Sequence, residues 1–557
     1  MVFTICLIAS AQMTLDQKVQ DFQQLAALYA KNYAPYEWKI LSQGFDLYNL
    51  APWLVRVRAT KDDLEFVDLC MEYVASLNDA HDGVNFQSTF RADLNIRVDI
   101  YDGKVLIDNI NRSRLSATAY PFQIGDELVS VDGKTPEEWI SILSKYNASA
   151  NASSTRRTAV SMIVYRNQMY YPYAHQIPDS ATVVIRRQND ALETYDIPWL
   201  KRYTPVTFIG PVPSPRTGAT RTRLESSEDT EPGYMAPLRQ LRNVRLPDGR
   251  QTVLNLGSSS PIFRLPSNFQ QRLGSSSSST LYSGSYEAYP SKIGFIRIAQ
   301  FPSDSYVLSQ FEREIVWMQQ NTDGLVIDVM RNPGGDACQV ESMLQRVIPF
   351  KFRTMGFAIR ATAYWIYDFA ASLGNAKLAG APQPVIDQYE MLLKEVETAY
   401  QESRGNTGPL PLCGTSLEIE PAKDSYGNVI AYTKPLMVLT DEFSASGGDV
   451  FPAIIQDNSR GTIFGMRTMG AGGSLSSVDS DATTYSELTA SVTRSLMVRK
   501  EPVVTPDLPP APFIENIGVR PDVEWDYMSK LNLLNSGRDY VDHFTYIMLE
   551  LIQKSKP

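Results

Sequence analysis

Two short runs, G-L-V-I-D-V at 324–329 and K-P-L-M-V-L-T at 434–440, are apolar at nearly every position instead of at every second one. A strand wetted on one face alternates apolar with polar side chains. Runs without that alternation predict strands covered on both faces, as in a parallel sheet layered between helices. The flanking sequence agrees. K-I-G-F-I-R-I (292–298) reads as a preceding strand, F-E-R-E-I-V-W-M-Q-Q as a helix, S-G-G-D-V-F-P-A-I-I-Q-D (446–457) as another helix, and G-T-I-F-G (461–465) as a further strand. This alternation predicts an α/β domain over 288–530, interrupted by a mostly helical insertion at 338–430 and followed by a C-terminal helix at 531–557.

At 557 residues the chain exceeds one ordinary core, and about three or four domains are expected. Residues 13–90 read as an N-terminal helical module, because L-D-Q-K-V-Q-D-F-Q-Q-L-A-A-L-Y and D-D-L-E-F-V-D-L-C-M-E-Y-V-A-S-L place apolar residues three and four apart. Two alternating strands then flank Asp102-Gly103, a hairpin signal. In F-Q-I-G-D-E-L-V-S-V-D-G-K-T-P-E-E-W (122–139) a strand and an Asp-Gly turn lead to Thr135, Pro136 and Glu138, spaced as N-cap, N1 and N3 of a capping box. This ordering over 91–200 resembles a PDZ domain. The resemblance implies a peptide-binding edge with a glycine-bearing carboxylate loop. Here R-A-D-L-N-I-R-V (91–98) stands in that place without glycines, so peptide capture and a structural or gating role are both open. The Pro- and Ser-rich stretch 201–287, with G-S-S-S-S-S-T at 274–280, reads as a linker or surface insertion carrying a few strands, among them T-V-L-N-L at 252–256.

The net charge of −10 is unlike that of a nucleic-acid binder, and no run approaches the roughly 18 to 20 apolar residues of a membrane span. Residues 1–12 read as a signal segment, since M-V-F-T-I-C-L-I-A-S-A ends in a small-x-small pattern before Gln12. A periplasmic or secreted protein is the expectation, with a greasy first helix as the alternative. The cysteines (Cys6, Cys70, Cys338, Cys413) show no C-x-x-C spacing, which excludes the common zinc and redox motifs. Cys338 and Cys413 are either a disulfide or two separate buried thiols.

The chemistry concentrates at T-D-E-F-S-A-S-G-G-D-V-F-P-A (440–453). A strand ending at Thr440 and a helix beginning near Ser446 place that hydroxyl among free backbone N–H groups, and Gly447 and Gly448 permit close approach of another backbone. The plain alternative is that Ser444 or Ser446 caps the helix. A second loop, D-V-M-R-N-P-G-G-D (328–336), turns sharply out of a core strand and exposes further N–H groups.

Together with G-M-R-T-M-G (465–470), these loops resemble the C-terminal-processing, or tail-specific, protease family, whose catalytic domain is crotonase-like (ClpP/crotonase). With the PDZ-like segment, the resemblance spans most of 70–525. It implies Ser446 as nucleophile, and the N–H groups of Gly447 and of Gly334 or Gly335 as oxyanion donors. The serine/lysine branch carries its lysine 25 residues after the nucleophile, where this chain has Ala471. The tricorn-type branch uses a histidine from upstream. His81, in L-N-D-A-H-D-G, matches that segment, and Glu515, in I-E-N-I-G-V-R-P-D, matches the glutamate that orients it. The serine expected before the histidine is Ala80 here, which leaves Asp79 and Asp82 as nearby acids. His175 and His543 read as structural.

The expectation is therefore a multidomain α/β serine endopeptidase acting on polypeptides through an acyl-enzyme, with no cofactor or metal, no nucleic-acid partner and no stated oligomeric state. A non-catalytic peptide- or ligand-binding protein on the same fold is the rival. An α/β-hydrolase esterase is disfavoured by the absence of a G-x-S-x-G elbow.

Overall fold

The two apolar runs become the strands Gly324–Asp328 and Leu436–Thr440, adjacent and parallel within a seven-stranded sheet. The computed structural model describes residues 12–146, 149–210, 231–246, 254–478 and 483–556, so all but the last residue of the expected signal segment lies outside the described residues. Ser291–Ile298 pairs in parallel on one side of the central strands, and Thr462–Gly465 followed by Val523–Glu524 on the other. The missing alternation has a direct cause. Leu325, Ile327 and Val438 enter one apolar layer with Phe311, Ile315, Phe451 and Ile454 from helices Ser305–Asn321 and Gly447–Asp457. Val326, Met437 and Leu439 face the opposite way, against Tyr540, Phe544 and Met548 of helix Arg538–Ser555. Burial of each large apolar side chain contributes about 1.5–3 kcal/mol, so both faces of the same strand hold the domain together.

A second, five-stranded sheet closes the chain on itself. Its long strand Thr489–Val503 pairs antiparallel with Gly83–Asn85 from the N-terminal module and with Gly356–Ile359 from the insertion. The module itself is four helices between Leu15 and Ala75. They pack through Phe22, Leu25, Phe66 and Tyr73.

The PDZ-like region is a five-stranded antiparallel sheet running from Ile96–Tyr101 to Leu192–Pro198, with helices Pro136–Leu143 and Ala152–Val164. Its first hairpin turns at Asp102 (φ 48°) and Gly103 (φ 75°), as a two-residue I′ turn requires. The Thr135–Glu138 capping box is formed at the start of its helix.

Within 201–287 the described residues carry strands that dock onto neighbouring elements. Gln270–Leu273 and Leu281–Ala288 are edge strands of the main sheet, and Asn243–Arg245 pairs with Gly334–Asp336. Their apolar residues, Leu281 and Val244 among them, dock into the adjoining core, which offsets the chain entropy that their Ser-rich flanks cannot. Of the strand expected at 252–256, residues 252 and 253 lie outside the described residues, and 254–256 are helical and turn-like. Within the insertion, helices Ala363–Leu378 and Gln383–Gln401 form an antiparallel pair, and Cys338 and Cys413 are joined as a disulfide. Cys70 is a buried free thiol.

Candidate active site

Ser446 precedes the first turn of helix Gly447–Asp457 with φ 60° and ψ −109°, a sparsely populated conformation for a residue with a Cβ. The neighbouring contacts hold it there. The Ser444 hydroxyl donates to the carbonyl of Val329, and the Ala445 N–H donates to that of Asn332, tying this loop to the strand end at Asp328. Ser444 thus anchors the loop. Asp449, one turn into the helix, accepts the Ser446 N–H at 2.6 Å, the Gly470 N–H at 2.9 Å, the Ala471 N–H at 3.1 Å and the Thr468 hydroxyl. Burial raises the Asp449 carboxyl to about 6 despite these donors.

The Asn332–Gly335 loop lies directly beside this turn. A Cβ on Gly335 would sit 1.9 Å from the Phe301 carbonyl oxygen, and one on Gly334 would sit 2.9 Å from the Ser446 Cβ. Only glycine fits. The Gly334 N–H is occupied by Asn332 Oδ1 at 2.8 Å. The Gly335 amide is taken instead by pairing with Val244, so it becomes a donor to an oxyanion only when strand Asn243–Arg245 is displaced. Strand Asn243–Arg245 lies along the loop, with Val244 opposite Gly335 and the Leu246 N–H on the Pro333 carbonyl at 2.9 Å. Ser446 is fully buried.

His81 arrives from the N-terminal module. Its Nε2 stands 2.9 Å from Ser446 Oγ. The turn that carries it is sewn to the late strand Thr489–Val503: the Ser491 hydroxyl donates to the His81 carbonyl, and the Thr493 N–H donates to Asp82 Oδ1. Asp79 caps the turn by accepting the His81 N–H at 2.9 Å and the Tyr33 hydroxyl at 3.0 Å. Its carboxylate is 3.9 Å from His81 Nδ1, an electrostatic distance longer than a hydrogen bond. Burial and the neighbouring Asp79 raise the Asp82 carboxyl well above its usual range.

Glu515 is fully buried in the same cluster. Its Oε1 is 2.5 Å from Lys39 Nζ, and its Oε2 accepts the Gly472 N–H at 2.8 Å. Burial first, then the Asp79 charge, push its carboxyl up to about 8, with Lys39 and the Gly472 N–H opposing. Neither Lys39 nor Asp449 stood out in the sequence as a site residue. Lys39 is one lysine in an amphipathic helix, and Asp449 occupies the N3 position, where an acid usually serves the helix alone.

Ala80 and Ala471, which stand where the sequence resemblance implies a serine and a lysine, have a shared environment. Ala80 and Ala471 pack with Leu246, Phe443, Ala445 and Met469 in one apolar cluster. His175 contacts Gln168 and the edge of Phe90, and His543 stacks on Trp525, so both are engaged away from Ser446. Among the described residues, no group of three or more His, Cys, Asp and Glu is arranged to hold a metal ion.

Residues 292–525 match the model of peptidase family S41, a family of serine-type peptidases, and residues 91–206 match that of a PDZ domain. Along its length the chain is similar to a protein of Chlamydia pneumoniae, 25% identical over 98% of this chain and 92% of that one. It is also similar to a protein of Chlamydia trachomatis serovar D, 24% identical over 96% of this chain and 92% of that one. Its fold resembles the crystal structure of mature CPAF, with TM-score 0.75 and 22% identity over 98% of this chain and 99% of that one. A structure of mature CPAF complexed with lactacystin gives TM-score 0.74 and 22% identity over 97% of this chain and 99% of that one.

Proposed function

We propose that the protein is a serine endopeptidase of the Ser/His type. Ser446 Oγ attacks the carbonyl carbon of a polypeptide substrate while His81 Nε2 takes the hydroxyl proton. The oxyanion that forms is held by the N–H group of Gly447, at the helix N-terminus, and by that of Gly335 on the facing loop once its pairing with Val244 is released. His81 then returns its proton to the departing amine. Water repeats the sequence to release the acyl group. The observation that carries this reading is the 2.9 Å contact between Ser446 and His81. Ala471 favours it over a lysine base, since that side chain has no proton acceptor.

The Cys338–Cys413 disulfide supports residence in an oxidising compartment, consistent with a periplasmic or secreted protein.

The test is labelling with a fluorophosphonate probe, followed by peptide mapping. Modification at Ser446, lost in His81→Ala, is the expected result. An unreactive Ser446 in a protein that still binds peptide would transfer the fold to the non-catalytic reading. Lactacystin, bound in one of the similar structures, supplies a chemically distinct second probe.

A further inference from the structure

Lys39 is a fully buried ammonium with three acceptors around it: Glu515 Oε1 at 2.5 Å, Asn516 Oδ1 at 2.6 Å and the Asn78 carbonyl at 2.9 Å. An ammonium has three donors, so this set satisfies it completely. Burying an ion is costly unless it is paired and hydrogen-bonded, and such pairs are weak contributors to stability for their desolvation cost. A reason other than stability is therefore worth seeking. The acceptors supply one. Asn78 begins the turn that carries His81, and Asn516 also donates to the Asn78 carbonyl at 2.9 Å and to the Ala150 carbonyl at 3.0 Å. Lys39 thus joins the His81 turn to the Glu515 segment by direct contacts.

We propose that Lys39 is a positioning residue of the proton relay: from helix Tyr36–Gln43 it fixes the Glu515 carboxylate and supplies its balancing charge, making the N-terminal helical module part of the working site. The proposal rests on the Ser446–His81 reading above. The charge count shows the need. The Asp79 charge opposes Glu515 ionisation, and Glu515 in turn raises the Asp82 carboxyl and the Tyr33 hydroxyl. Lys39 favours the carboxylate form both by its charge and by its hydrogen bond. Glu515 ionises at about 8 with Lys39 present, so removal of the ammonium moves that ionisation further upward. His81 becomes an imidazolium on taking the Ser446 proton, and an ionised Glu515, within electrostatic reach of the Asp79 carboxylate that lies 3.9 Å from His81 Nδ1, stabilises that cation through the field of the buried cluster.

The experiment is the pH dependence of fluorophosphonate labelling and of peptide hydrolysis in wild type, Lys39→Met, Lys39→Arg and Glu515→Gln, with circular dichroism of each. Wild type should show a limb that rises toward pH about 8. In Lys39→Met the limb should move up by about one pH unit or more, lowering kcat at pH 7 by about tenfold with KM little changed. Lys39→Arg, which keeps the charge, should return the limb to its wild-type position. Glu515→Gln should remove the part of the limb that Lys39→Met shifts, leaving that of the His81 base, and adding Lys39→Met to it should cost little more. An unshifted limb in folded Lys39→Met overturns the proposal and leaves the peptidase reading intact. If Lys39→Met fails to fold, a limb in Glu515→Gln identical to that of wild type overturns it equally. Absence of labelling in wild type removes both.

Discussion

Ser446 Oγ and His81 Nε2 meet at 2.9 Å although 365 positions separate them in sequence. The pairing of Gly83–Asn85 with Thr489–Val503 brings the histidine turn to the late half of the chain, and the Ser491 and Thr493 contacts fix its height. Ser446→Ala and His81→Ala are each expected to lower peptide hydrolysis by about 10⁴-fold or more, and the double variant by hardly more than either, because the pair acts as a unit. Unchanged circular dichroism with lost turnover is the supporting outcome. Full activity in either variant would remove the proposed mechanism.

Strand Asn243–Arg245 lies over the loop that faces Ser446, and one of its ties is the Leu246 N–H on the Pro333 carbonyl. Leu246→Pro deletes that donor. A hydrogen bond of about 1 kcal/mol corresponds to about a fivefold change in the population of the open arrangement. Ser446 labelling should accelerate by roughly that factor. A slower or equal rate would mean that access does not pass this strand.

The PDZ-like region is bolted to the nucleophile loop through buried charge. Arg157 binds Asp99 through two contacts of 2.9 and 2.6 Å and reaches Glu442 at 3.1 Å, while the Ser154 hydroxyl donates to the Glu442 carbonyl. Asp99→Ala removes one partner, and with it two hydrogen bonds, from a buried guanidinium and should destabilise the protein by about 3–5 kcal/mol. Replacing both members, Asp99→Leu with Arg157→Leu, should recover much of the loss in thermal midpoint. Equal loss in the single and double variants would assign the effect to packing instead.

Glu341 is a buried carboxyl that accepts the Thr354 hydroxyl, and burial lifts it from 4.5 to about 7. Its folded value lies above its unfolded one, so its contribution to stability is complete below pH about 4.5 and is lost as pH rises through about 7. The full swing is about 3 kcal/mol. Glu341→Gln should therefore narrow the difference in thermal midpoint between pH 5 and pH 8. Asp108 and Asp449, both raised to about 6, leave part of the slope in place. A slope identical to wild type would show that Glu341 does not ionise differently in the two states.

Local chemistry was enough for several features, because their causes span only a few residues. The continuous apolar runs at 324–329 and 434–440 announce strands covered on both faces, since period-two alternation has nothing to report when neither face is wet. Asp102-Gly103 and Thr135–Glu138 are equally local, as is the exposure of N–H groups after Ser446. What the tertiary structure alone decided are relationships with no short-range pattern. Lys39 meets Glu515 across 476 positions, and the Gly334 amide is taken by Asn332 while Val244 covers Gly335. Cys338 and Cys413 form a disulfide where the spacing allowed two free thiols. A buried ion or amide is defined by which group finally neutralises it, and that partner is chosen by the packing of whole elements, after every local preference has already been met.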